Sequence, residues 1–138
     1  SEILMDQVLE HLEFKKEKDF FVLAQRALVP GGKLIIRVPD FEWLCRKFIE
    51  ADENGFEWYE MGSQDHYFGG GHDVTKRWSY LVASFYGHQN GLGEFHKNAY
   101  TKQKFWEITR YMQLDVVETK SFMRKTVQCI EAVIKKKD

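Results

Sequence analysis

The chain has 138 residues, 43% hydrophobic and 15% aromatic, with a net charge of −1 and a pI near 6.5. A chain of this length is expected to form one domain over residues 1–138 with a real core, burying roughly 68% of its unfolded surface. The near-neutral charge leaves no basic field for nucleic acid or an anionic membrane, and no apolar run approaches the ~18 residues needed to span a bilayer.

Ser1 opens the chain without a methionine, directly before an apolar run, which points to processing or to a fragment. Ile3-Leu4-Met5 predicts a strand ending near Met5, followed by a turn or short helix through Val8-Leu9-Glu10-His11. From about Lys16 to Leu28, Phe20, Leu23, Ala24, Ala27 and Leu28 recur at helical spacing, and Pro30-Gly31 stops the helix. Pro30 fixes φ for a tight turn, and Gly31 or Gly32 can take the positive φ that follows.

Leu34, Ile35, Ile36 and Val38 leave almost no polar face, so Lys33 to Val38 reads as an inner strand of a sheet covered on both sides. Strand, helix and strand in this order predict a right-handed βαβ unit. Pro39 ends the strand and Asp40 can cap the next helix, whose stripe is Phe41, Leu44, Cys45, Phe48 and Ile49. In open parallel sheets ligands bind beyond the carboxyl ends of the strands, so Val38 to Phe41 should point at any active site.

Glu53 to Val74 loses all periodicity and mixes glycines with Trp58, Tyr59, His66, Tyr67, Phe68 and His72, as a lid or binding loop would. A helix carrying Trp78, Leu81, Val82 and Phe85 follows, closed by Gly87. After a loop from His88 to Tyr100, Thr101 marks a helix start, with Tyr100 and Phe105 spaced as a hydrophobic staple. Phe105, Ile108 and Met112 continue its buried face. Leu114 to Phe122 then reads as an edge strand and Val127 to Ile134 as an internal one, with Arg124-Lys125 in the turn between them.

Cys45 and Cys129 lack Cys-x-x-Cys spacing and read as buried thiols of a reducing compartment. With no signal peptide visible, a cytoplasmic location is expected. Asp65, His66, His72, Asp73, His88 and His96 offer ligand groups, but without His-x-x-x-His spacing or cysteine support no metal is expected. No Ser-His-Asp or Cys-His arrangement is recognisable.

The sequence of motifs resembles the C-terminal half of a class I S-adenosylmethionine-dependent methyltransferase. Val8 to His11 is similar to the family's Val-Leu-Glu-His motif after its fourth strand, and Leu28 to Gly32 to its Leu-x-Pro-Gly-Gly turn before the fifth. Phe85 to Gln89 and Phe95 to Thr101 are similar to a subgroup often linked to cell-surface polysaccharide genes. The resemblance implies a partial Rossmann-like α/β fold, with strands equivalent to 4-5-7-6, helices on both faces and an antiparallel C-terminal strand pair.

The same resemblance implies methyl transfer from S-adenosylmethionine to a small or carbohydrate-like acceptor. Met5, Asp6 and Gln7 align with positions near the methionine end of the cofactor, although Asp6 reads equally as a cap of the next turn. His11 reads as a base or substrate-orienting group, or as a structural hydrogen-bonder. Asp40 and Tyr67 are expected to face the acceptor, and His96 and Asn98, before a helix start, to line the same substrate pocket or to satisfy the loop backbone. The family's glycine-rich turn and its ribose-binding acid have no counterpart among these residues. Gly69 to Gly71 cannot replace the turn, because no strand precedes them. The expected partner is therefore a missing N-terminal half or a second copy pairing along the exposed edge of the first strand. The competing reading is a non-catalytic module that uses that edge to bind a partner or itself.

Overall fold

The computed structural model describes residues 1–50, 84–87, 89, 91–125 and 127–138. Tyr67, the loop over residues 53–74, His88 and most of the helix expected before Gly87 lie outside them. The described residues form an α/β fold on a four-stranded mixed sheet of order β1-β2-β4-β3. The strands are β1 (Glu2–Asp6), β2 (Lys33–Pro39), β3 (Leu114–Arg124) and β4 (Val127–Lys136). β1 runs parallel to β2, while β4 is antiparallel to both β2 and β3.

β2 therefore lies inside the sheet between the N-terminal and C-terminal strands, as its apolar run predicts. Its burial alternates, however. Leu34, Ile36 and Val38 are fully buried, whereas Ile35 and Arg37 are only partly covered. The buried face continues onto Ile130, Ala132 and Ile134 of β4 and meets Phe21, Ala24 and Leu28 from α1 (Phe14–Ala27) and its end. Each such aliphatic side chain contributes about 1.5–3 kcal/mol by leaving water.

The stripe on α1 differs from the expected one. Phe21 is buried and Leu23 is 63% exposed, with Ala27 exposed beside it. Leu23 sits about 200° round the helix from Phe21, so the two cannot share a face. The sheet takes the Phe21, Ala24 and Leu28 line and leaves Leu23 outside.

The turn into β2 follows its local chemistry. Gly32 N–H donates to Val29 O at 2.8 Å, and Gly31 adopts φ +78° after Pro30, the geometry of a type II turn. β2 gives way after Pro39 to α2 (Phe41–Glu50). Asp40 Oδ1 accepts from Trp43 N–H at 3.3 Å, which is the cap expected of it. On α2, Leu44 is buried among Trp43, Phe48, Phe85 and Val127, but Ile49 is 77% exposed and Cys45 only partly buried, contrary to the predicted stripe and to the expected buried thiol.

The staple at α3 (Lys102–Thr109) forms as its spacing predicts. Thr101 Oγ1 accepts from Lys104 N–H at 3.1 Å, and the Tyr100 and Phe105 rings stack with centroids 5.2 Å apart. α3 continues the buried face through Phe105, with Ile108 and Met112 partly buried against the same core. β3 lies at the sheet margin, and a bulge between Val116 and Glu118 moves Glu118 off the core face onto the side where Val117 is already exposed, a feature the alternation of the sequence does not announce.

The second sheet face carries a row of alternating charge. Asp6, Arg37, Glu131 and Lys120 stand at matching register on β1, β2, β4 and β3. Arg37 Nε lies 2.8 Å from Glu131, and Lys120 Nζ reaches Glu131 at 3.2 Å. Among the described residues no helix is long and apolar enough to cross a membrane.

Candidate functional site

The carboxyl ends of β1 and β2 open onto a cleft of about 360 Å³. Its walls come from the turn after β1 (Gln7, Glu10, His11), from Pro39, from Ser84, Glu94 and His96, and from the β3–β4 hairpin (Arg124, Lys125, Val127, Cys129). This is where parallel α/β sheets place their ligands. A roomier groove of about 510 Å³ lies between α1 and the residues after α3, lined by Phe14, Phe21, Val22, Ile108, Tyr111 and Met112. Its polar lining is Glu17, Lys18, Gln25 and Gln113, with no His or Cys, and Glu17 is already engaged by Asn98, Tyr100 and Lys104, so the chemistry points to the cleft.

A single 3-10 turn, Leu9–His11, forms the cleft floor, with Leu9 anchored in the core. The chain enters it through Gln7, whose φ of +57° is held by a 2.8 Å hydrogen bond from its N–H to Arg37 O. The Glu10 carbonyl accepts from both Lys97 N–H (2.7 Å) and Asn98 N–H (3.0 Å). That pair of bonds ties the 95–98 segment to the turn and sets His96 beside His11. The two imidazoles meet edge to face with centroids 4.7 Å apart.

Each histidine also has a fixed tautomer. His11 Nδ1 lies 3.0 Å from Phe95 O, and His96 Nδ1 lies 2.9 Å from Ser84 O. A carbonyl can only accept, so both Nδ1 atoms carry a proton, which in the neutral form of each ring puts the lone pair on Nε2. Glu10 stands against them, its Oε1 3.7 Å from His11 Nε2. It is 3% exposed, and its Oε2 has no hydrogen-bond partner among the described residues. Burial pushes the Glu10 carboxyl up to about 7; its own backbone N–H opposes this, the Asp6 charge adds to it and Arg124 opposes it.

The hairpin closes the opposite wall. Arg124 Nη2 sits 2.8 and 3.0 Å from the two oxygens of Asp6, across 118 residues of sequence. Cys129 is buried, its thiol pushed up by that burial and accepting a long bond (3.7 Å) from Gln7 Nε2. A protonated, enclosed thiol is a poor nucleophile.

Of the residues singled out from the sequence, Gln7, His11 and His96 line the cleft. Met5 packs partly buried against the core. Asp6 is bound by Arg124 and, at 3.5 Å, by Arg37, and the 3-10 turn takes no side-chain cap. Asp40 is committed to α2 and to Gln128 Nε2 at 3.1 Å. Asn98 is buried and spans Glu17 Oε2 (2.6 Å) and Lys104 Nζ (2.6 Å). Glu17 also accepts from Tyr100 Oη at 2.5 Å and meets Lys104 at 3.0 Å, so this knot fastens the 98–104 segment to α1. Tyr67 lies outside the described residues.

Sequence reasoning places no weight on Arg124 or on Glu10 as a cleft group in its own right. The motif Val8 to His11 contains the only local signal for Glu10; Arg124 has none. No protein-family model matches the chain, and no curated protein matches it.

Proposed function

We propose that these residues are the acceptor-side half of an S-adenosylmethionine-dependent methyltransferase, acting on a small or carbohydrate-like acceptor in the cleft beyond β1 and β2. The observation that carries the reading is the order β1-β2-β4-β3, in which the last strand enters antiparallel between β2 and β3. The family resemblance implies that order, 4-5-7-6, and implies the Val-Leu-Glu-His segment at the carboxyl end of the first of these strands. Val8 to His11 follows β1 directly.

In this reading Gln7 faces the methionine end of the cofactor, and Asp6 serves by holding Arg124 in the cleft wall. His11, in the cleft wall with Nε2 beside the Glu10 carboxyl, orients the acceptor or takes its proton. Methyl transfer from a sulfonium needs little more than alignment, and a base only where the nucleophile is protonated. The glycine-rich turn and ribose-binding acid come from a segment or partner outside these residues, so the chain by itself binds the cofactor weakly.

Titration with S-adenosylhomocysteine followed by amide NMR tests this. Weak binding with shifts concentrated at Met5, Asp6, Gln7 and His11 is expected. An unperturbed β1 end removes the reading.

A second reading follows from β1, which forms the sheet margin among the described strands and leaves Leu4 51% exposed. Such an edge pairs readily with another strand, and a second copy of the chain is the simplest partner. Sedimentation equilibrium giving a concentration-dependent dimer is expected; a monomer throughout removes this second reading.

A further inference from the structure

We infer that Glu10, His11 and His96 form a binding site for one divalent first-row transition-metal ion. One ligand atom from each residue lies within 4.8 Å of the others. Bonds of about 2.0–2.2 Å to a shared ion need ligand atoms roughly 3–3.5 Å apart, so the set closes by small side-chain rotations. Glu10 and His11, at 3.7 Å, are nearly there.

Three independent features favour an ion over a plain polar cluster. The first is the buried Glu10 Oε2, which finds no partner among the described residues although an unpaired buried carboxylate oxygen is costly. The second is the tautomer of both rings. His11 Nδ1–H donates to Phe95 O and His96 Nδ1–H to Ser84 O, the outer-shell pattern that orients metal-binding imidazoles and raises their basicity. The third is rigidity. The Glu10 carbonyl holds the 95–98 segment through two backbone bonds, so ligands 86 residues apart in sequence are preset by main chain.

The donor set also selects the ion. Two imidazoles and one carboxylate suit zinc, cobalt or iron; magnesium and calcium prefer oxygen-only shells. Arg124, a cation of the same wall, is already paired with Asp6 and opposes an incoming charge less than a free guanidinium would. The inference does not depend on methyl transfer, and an ion held by His11 Nε2 would leave that lone pair unable to take an acceptor's proton; cobalt reports on Glu10, His11 and His96, whereas Met5, Asp6 and Gln7 report on S-adenosylhomocysteine alone.

The 138-residue chain in metal-free buffer is titrated with CoCl₂. One Co²⁺ per chain, with visible ligand-field bands displaced by Zn²⁺, is expected. ZnCl₂ should raise the thermal midpoint and MgCl₂ should not. His96→Gln, His11→Gln and Glu10→Gln should each weaken Co²⁺ binding roughly tenfold or more, with circular dichroism verifying the fold. Absence of the bands, or binding that survives all three substitutions, overturns the site. Should a variant fail to fold, imidazole ¹⁵N spectra of the unmodified chain decide. Zn²⁺ must then shift His11 and His96, and their failure to move overturns it equally.

Discussion

Arg37 and Glu131 face each other at matching register on neighbouring antiparallel strands, Arg37 Nε donating to Glu131 Oε2 at 2.8 Å. They form the centre of the charged row that crosses the sheet from Asp6 to Lys120. The Arg37 hydrogen bond holds the Glu131 carboxyl below its ordinary range, with Lys120 adding to the effect against a smaller cost of burial.

A depressed carboxylate contributes stability that is present above its unfolded value and lost as pH falls through its folded one. The thermal midpoint should therefore drop as pH falls below about 4.5, the ordinary value for this group. Glu131→Gln should destabilise the protein at neutral pH, since it replaces the charged acceptor of Arg37 with a neutral one. It should also flatten the acid limb of the midpoint-against-pH curve. An unchanged acid limb would show that the row contributes nothing to folding.

The two faces of β2 should respond unequally to truncation. Ile36 is fully buried and Ile35 only partly so. Ile36→Ala should cost about 3–4 kcal/mol, through lost transfer energy plus a cavity, and Ile35→Ala roughly half of that. Urea denaturation with unchanged slope measures both. Equal losses would contradict the one-sided core.

Gly87 lies at φ +84°, and a Cβ there would overlap Glu94 O. Gly31, at φ +78°, has only ordinary contacts around the same point. Gly31→Ala should cost about 1 kcal/mol from backbone strain alone. Gly87→Ala should cost more, about 2 kcal/mol or above, because the main chain must also move. His96 N–H bonds to Tyr86 O, so that movement should reach the cleft and weaken cobalt binding as well. Cobalt titration of the two variants side by side separates strain from displacement.

Thr101→Ala should destabilise the protein by about 1 kcal/mol, since it removes the acceptor for Lys104 N–H at the start of α3. Tyr100→Phe keeps the stack on Phe105 but deletes the hydroxyl that donates to Glu17, for about 1 kcal/mol more. The two losses should add imperfectly, because Lys104 takes part in both clusters. Chemical denaturation of both single variants and the double variant measures the shortfall.

Where a feature depends on neighbouring residues, the sequence declares it. Pro30-Gly31 announces its turn, Tyr100, Thr101 and Phe105 their staple, Asp40 its cap, and the apolar residues Leu34, Ile35, Ile36 and Val38 of β2 its interior place, although Arg37 among them carries the charged second face. Stripes with two workable faces are less legible. α1 offers Leu23 and Phe21 on different sides, and only the sheet beneath chooses between them. Likewise the bulge at Val117 exists because β3 must keep pairing with β4, not because of its own alternation.

The cleft is the least legible part. Val8 to His11 marks a turn after β1, and His96 stands before a helix start, yet neither position implies the other. By itself the sequence determined the strands, the end of α1, the start of α3 and the βαβ order, because each follows from φ/ψ preference and apolar period within a few residues. Only the tertiary structure decided that Arg124 reaches Asp6 and that Glu10, His11 and His96 converge. Those meetings depend on strand register and on two backbone bonds between distant segments, which local preference does not encode.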